Sequence, residues 1–215
     1  VGILPAFLMG LNFKKISQGS LISFQKIKKN LLLSSANQLK KIFLSKKVNS
    51  IIFFNYSPQL NSFTYWCQQL LAESLGKNGK GLTPVVSTAP KDHHSLLQLY
   101  LDGPKDKVFY VISSKCKNNI NIKKNLFFNK YKFLKNKKLE KIILSQKNAF
   151  ISVLKQKKIP YREIQINTFS EETLGELFSF FIIETFLIAK LINVNPFNQP
   201  SVESVKNQTK KNLIR

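Results

Sequence analysis

The sequence predicts an α/β protein: a three-layer αβα sandwich around a mostly parallel sheet, with flanking N- and C-terminal helices. Three observations carry that expectation. Four short strand-like segments, at 50–55, 82–87, 107–113 and 161–166, alternate with longer segments of helical pattern, and such alternation argues for a parallel sheet with helices on both faces. The runs Ile51-Ile52-Phe53-Phe54 and Val108-Phe109-Tyr110-Val111-Ile112 are continuous, as in strands covered on both sides. At 215 residues, 43% hydrophobic and 12% aromatic, the chain can bury roughly 70% of its unfolded surface. That excludes a disordered tail and a scaffold that depends on disulfide staples.

Taken in order, residues 1–47 read as helical, with Leu31 to Leu33, Leu39, Ile42 and Phe43 on the apolar side and Lys40, Lys41, Lys46 and Lys47 on the wet side. The first strand, 50–55, leads through Tyr56-Ser57-Pro58 into a helix over 59–75 that stops at Gly76. A second strand at 82–87 precedes a helix over 94–101, closed by Gly103-Pro104, and 107–113 is the third strand. A basic connection at 115–138 leads to a long helix over 139–155, and Pro160 introduces the fourth strand. Ser170 is placed to cap the apolar helix that runs to Val194. Pro196 interrupts the chain before a last basic helix over 201–212. The organisation is therefore 1–47, 48–195 and 196–215.

Charge raises partners without selecting one. With 34 basic and 11 acidic residues the net charge is +23, which admits nucleic acid, anionic lipid or phosphorylated metabolites. A genome rich in A and T codons gives the same surplus of Lys and Asn with no polyanion in view. The stretch 115–141 interleaves Phe127, Phe128, Tyr131 and Phe133 with lysines, a pattern seen in single-strand binders, yet inside an α/β domain such aromatics pack while lysines stay wet. No nucleic-acid partner is expected. Nor is a membrane: the apolar helix carries Glu176, Glu184 and Lys190, each costly in a bilayer. The opening VGILPAFLMG has no basic residue before its apolar run, unlike a signal peptide, and reads as cut from a longer chain. Cys67 and Cys116 leave room for at most one bridge, and a reduced, cytoplasmic protein is the simplest reading.

Three clusters could carry chemistry. Glu73 lies in the last turn of a helix before a glycine-rich bend, where the helix dipole disfavours negative charge and so suits a base; the plainer reading is a surface glutamate. The following glycines and lysines do not form a phosphate loop, because Leu82 stands where its lysine belongs. The two histidines, His93 and His94, open a helix that also bears Gln98 and Tyr100, where a neutral imidazole can relay a proton; alternatively one caps the helix and the other faces water. Adjacent histidines point apart and no third ligand is at hand, so no metal is expected. Finally, Gln199 in a polar turn precedes a helix that sets Lys206 two turns on, an amide and an ammonium able to meet a sugar; otherwise this is a solvated basic tail.

In combination the clusters resemble a known family. Glu73-Ser-x-Gly-Lys, then Asp92-x-His94-Ser-x-x-Gln98-x-Tyr100-x-x-Gly103-Pro, then Asn195-Pro-Phe197-x-Gln199-Pro-x-Val-Glu203-x-x-Lys206 resemble, in that order, the bacterial type of glucose-6-phosphate isomerase. The resemblance implies a sugar-isomerase-domain fold for 48–195. It implies an aldose–ketose isomerase that interconverts glucose 6-phosphate and fructose 6-phosphate, in glycolysis and gluconeogenesis, through an enediolate and with no metal or organic cofactor. It makes Glu73 the base, His94 and Lys206 the ring-opening pair, and Gln199 a substrate contact. It also implies a homodimer in which His94 reaches the neighbouring subunit's site. The family's glycine-glycine-arginine segment and its Ser/Thr-rich phosphate loop do not occur in this sequence. The chain is thus expected to be the C-terminal part of a longer isomerase, poorly active alone, with 1–47 linking to an absent N-terminal sugar-isomerase domain and 196–215 forming an active-site turn and helix. The alternative is a non-catalytic sugar-phosphate-binding module of the same fold.

Overall fold

The computed structural model describes residues 2–115, 120–121 and 129–214. Three helices come first, α1 (Ile3–Leu8), α2 (Phe13–Ile22) and α3 (Lys26–Leu44), where the sequence suggests one helical region. Then follow β1 (Ser50–Asn55), α4 (Asn61–Leu75), β2 (Thr83–Thr88), α5 (Lys91–Ser95), α6 (Leu97–Asp102), β3 (Lys107–Ser114), α7 (Leu139–Gln156), β4 (Tyr161–Ile166), α8 (Glu171–Leu191) and α9 (Pro200–Ile214). The four strands form one sheet in the order β2-β1-β3-β4. Every pairing is parallel, with Phe53 opposite both Val86 and Tyr110. The expected αβα sandwich is present, and its sheet is parallel throughout.

The continuous apolar runs follow from burial on both faces. On one face Ile51, Phe53, Val108, Tyr110 and Ile112 pack against α3, α4 and α8 through Leu39, Cys67, Leu71, Phe181 and Ile188. On the other, Ile52, Phe54, Phe109 and Val111 meet Tyr100, Phe150, Ile151 and Leu154. Because strand side chains alternate in direction, successive residues of β1 and β3 feed opposite layers, and the buried polar groups of these strands, Asn55, Lys107 and Ser113, stand at their ends.

Helix ends match the capping rules. The Ser170 hydroxyl accepts a hydrogen bond from the Thr173 amide, as expected of a cap. At the other end of α8, Asn193 adopts φ 55° and the Val194 amide donates to the Ala189 carbonyl, a left-handed close that asparagine tolerates well. This closure turns the chain toward Gln199. The expected helix at 94–101 divides into α5 and α6 at Leu96, whose φ of −123° lies outside the helical range.

Two glycines let α2 lie directly on α8. A Cβ placed on Gly19 would sit 1.9 Å from the Glu172 carbonyl oxygen, and one on Gly175 would sit 1.9 Å from that of Ile16. Neither backbone can yield without separating the helices. Gly175→Ala is therefore expected to destabilise the fold by roughly 1–3 kcal/mol, although alanine is the better helix former. Gly2→Ala, which meets open space, is the control. An unchanged urea midpoint for Gly175→Ala would contradict the close approach.

Candidate active site

Glu73 occupies the last turn of α4, and both of its carboxylate oxygens are held. Gln69, one turn earlier, donates from Nε2 to Oε1 at 2.9 Å. Gln199, 126 residues away, donates from Nε2 to Oε2 at 3.0 Å. The carboxylate remains exposed to solvent, so it is aimed yet accessible. Sequence reading did not single out Gln69; its spacing of four residues from Glu73 on one helix face was the available signal.

Lysines bind the loops around this carboxylate together. The Lys77 ammonium donates to the Asn195 carbonyl at 2.6 Å, and that of Lys80 to the Ile192 carbonyl at 2.8 Å. Both cations thus meet carbonyls at and just beyond the C-terminal end of α8, where positive charge is favoured. Burial lowers the pKa of Lys77 while the neighbouring Glu73 acts in the opposite direction. The turn to Gln199 is shaped by the Asn195 side chain, whose Oδ1 accepts from the Phe197 amide at 2.9 Å, and by the Phe197 ring against Phe186, centroids 5.0 Å apart.

The two histidines differ in surroundings, and α5 itself is fixed by Asp92. Asp92 is buried and accepts from the Ser87 hydroxyl, the Thr88 amide and the Ser95 hydroxyl at 2.7, 2.7 and 2.9 Å. Burial alone would raise its pKa, but these hydrogen bonds outweigh that and hold the carboxyl below its ordinary value. His93 turns inward, sharing a hydrogen bond of 2.5 Å with the Tyr56 hydroxyl and packing on Phe54 and Phe150. Burial lowers its pKa. His94 faces solvent.

Strand direction separates the predicted residues. α4 returns from the carboxyl end of β1 to the amino end of β2, so Glu73 lies at the amino edge of the sheet. α5 follows the carboxyl end of β2, so His94 lies at the opposite edge. The length of β2 alone puts roughly 17 Å between them. Gln199 joins Glu73, whereas Lys206 stands two turns along α9 with its ammonium 2.8 Å from Glu203. Among the described residues no hydrogen bond or ion pair connects Lys206 to Glu73. No residue of α9 is buried.

The other expectations find these places. Of the basic aromatic stretch, Phe127 and Phe128 lie outside the described residues, and so does Cys116; Tyr131 and Phe133 are exposed. Cys67 is buried, and burial, then the Glu184 carboxylate, push its thiol pKa up, the opposite of a reactive thiolate. Among the described residues no group of three or more His, Cys, Asp or Glu could hold a metal ion, and no helix is long and apolar enough to cross a membrane.

A parallel α/β domain that presents a doubly held, exposed carboxylate at the end of a helix has a group chemically able to accept and return a proton. Comparison with known proteins narrows the class. The chain is 35% identical over 214 residues to glucose-6-phosphate isomerase of Mycoplasmopsis synoviae, covering 96% of this chain and 50% of the relative. It is 33% identical over 213 residues to a probable glucose-6-phosphate isomerase of Methanococcus maripaludis, covering 94% and 47%. Among solved structures it superposes with a TM-score of 0.84 and 25% identity on a hypothetical protein from Thermus thermophilus, over 95% of this chain and 51% of that one. A glucose-6-phosphate isomerase from Chlamydia trachomatis shares the fold, with a TM-score of 0.71 at 17% identity over 93% and 42%. No protein-family model matches. The chain is similar along nearly its whole length to glucose-6-phosphate isomerases, and it spans about half the length of the curated relatives it matches.

Proposed function

We propose that this chain forms part of an aldose–ketose isomerase that interconverts glucose 6-phosphate and fructose 6-phosphate, with Glu73 as the base. The observation that supports this reading most is the Glu73 carboxylate, fixed by Gln69 and Gln199 and still open to solvent. The reaction needs one group that takes a proton from one carbon and returns it to the next, and a positioned carboxylate does both. The enediolate between those steps is negative and is stabilised by fixed positive charge, for which Lys77 stands nearby. Gln199 contacts the sugar, and Lys206 and His94 open the ring. Lys206 comes to the site by movement of α9, which breaks no core packing because none of its residues is buried.

In this reading 48–195 is a sugar-isomerase domain, 196–215 its active-site turn and helix, and 1–47 the connection to a further domain that holds the phosphate. His94 serves the site of a second copy, since it lies across the sheet from Glu73 of its own chain.

Mixing two inactive variants tests both the chemistry and the sharing of sites. Glu73→Gln and His94→Ala, each made in the whole reading frame that contains this chain, are expected to be inactive in converting fructose 6-phosphate to glucose 6-phosphate. Co-expressed, they pair at random, and each mixed dimer regains one intact site, so about a quarter of wild-type activity returns. Mixed dimers that form and remain inactive would refute the shared site. A wild-type protein that binds the sugar phosphate without converting it would refute the enzyme.

A further inference from the structure

The carboxyl edge of the sheet, opposite Glu73, holds a second set of polar groups. From β1 the chain passes through α4 to β2 on one side, then through α5 and α6 to β3 on the other. The β1–β3 boundary is therefore the point where strand order reverses, and in open parallel sheets ligands bind in the crevice beyond the carboxyl ends at that point. A cleft of about 320 Å³ lies there, lined by Gln59 after β1, Ser113, Ser114 and Lys115 from the end of β3, and Ile143 and Leu144 of α7. That volume is at the small end of the range for small-molecule sites.

Ser113 is the informative residue. It is 7% exposed, and its hydroxyl has no hydrogen-bond partner among the described residues. Buried hydroxyls are nearly always paired, so an unpaired one facing a cavity asks for a ligand atom. Beside it Ser114 and Ser57 share a hydrogen bond of 2.6 Å, leaving these hydroxyls further capacity to donate or accept.

The sign of the field is positive. α4 and α7, of 15 and 18 residues, both begin at this edge, so the positive ends of two helix dipoles converge there. Lys115 adds an exposed ammonium at the rim. Lys147 also lines the cleft but is paired with Glu163 at 2.5 Å, and Glu140 in the first turn of α7 offsets part of that helix's dipole. The anionic group therefore belongs at the Ser113–Lys115 end. The facing wall, Ile143 and Leu144, is apolar.

We propose that this cleft binds a small phosphate monoester, its phosphate on the Ser113 and Ser114 hydroxyls and the Lys115 ammonium, its apolar body on Ile143 and Leu144. The site is distinct from that of Glu73 and stands whether or not the chain is an isomerase. Phenyl phosphate carries both halves of the ligand and inorganic phosphate only one, so titrating each at fixed ionic strength tests the assignment. Phenyl phosphate binds at least tenfold more tightly than inorganic phosphate. Ser113→Ala weakens it at least fivefold without lowering the urea midpoint, since no protein partner is lost. Leu144→Glu, at a position already 43% exposed, removes the preference for the phenyl group. Glu73→Gln binds phenyl phosphate as the wild type does. Equal affinity for the two probes, undiminished binding by Ser113→Ala and Leu144→Glu, or a loss of binding in Glu73→Gln would each overturn the proposal.

Discussion

Replacing Glu73 by glutamine is expected to lower isomerase turnover by about three orders of magnitude, within the range that a general base contributes. The substitution keeps the shape of the side chain and removes its ability to take up a proton. Some structural consequence is also built in. The glutamate accepts from two amides, Gln69 at Oε1 and Gln199 at Oε2, whereas a glutamine has one acceptor oxygen. One of the two contacts is thus lost, which weakens the hold on the Gln199 turn but leaves the core untouched. The loss should accordingly fall on kcat much more than on KM. Glu73→Asp, a base one methylene shorter, is expected to lose about two orders of magnitude through misplacement alone. Activity in Glu73→Gln within tenfold of wild type would remove Glu73 from the role of base, and with it the alignment of His94 and Lys206.

The largest effect on stability is expected at Glu184. It is 3% exposed, and it accepts hydrogen bonds from Arg162 Nη1 at 2.8 Å on both oxygens and from the Ser35 hydroxyl at 2.6 Å. The guanidinium it holds lies over the rings of Tyr110 and Phe180, 5.4 and 5.0 Å from their centroids. Burial works against the charge of Arg162, but Glu184 and Tyr110 outweigh it and the pKa rises. Glu184→Ala leaves that cation without its counter-charge, a loss of about 3–5 kcal/mol. At about 2–4 °C per kcal/mol for a chain of this size, the midpoint of thermal unfolding falls by roughly 10 °C. The double variant Glu184→Leu with Arg162→Met should recover most of the loss, because it removes both charges together. A single variant as stable as the wild type would mean that water already compensates the arginine.

The two central strands were legible because a strand buried on both faces leaves a run of apolar residues, and the edge strands because short segments with β-branched residues stand between helical patterns. The strands at 50–55 and 161–166 were expected to the residue, and β2 and β3 within one. Features that depend on a distant partner were not legible. Gly19 and Gly175 each sit within a helical pattern, and only their 1.9 Å approaches to backbone 153 and 159 residues away explain them. The break at Leu96 leaves no Gly or Pro to announce it. Glu184 was noticed as a charge unfit for a membrane, but its partner Arg162 lies on another element. At the candidate site, Gly76 marked the helix end that carries Glu73. The meeting of Glu73 with Gln199 required the fold of the intervening 126 residues.

The Gln199 contact has a consequence for a resting protein. In the absence of a ligand the second oxygen of Glu73 is occupied by an amide of its own chain, and that amide sits at the root of α9, a helix with no buried residue. Gln69, by contrast, is on the same rigid helix as Glu73. A ligand that needs the carboxylate therefore competes with Gln199 and leaves Gln69 in place. On the proposed reaction, displacing Gln199 would release the root of α9, so that occupancy at Glu73 and the position of Lys206 would become one event. The idle carboxylate thus stays open to solvent with one oxygen held by a displaceable amide, and on the proposed reaction the arm that bears the lysine would be freed when a competitor takes that oxygen.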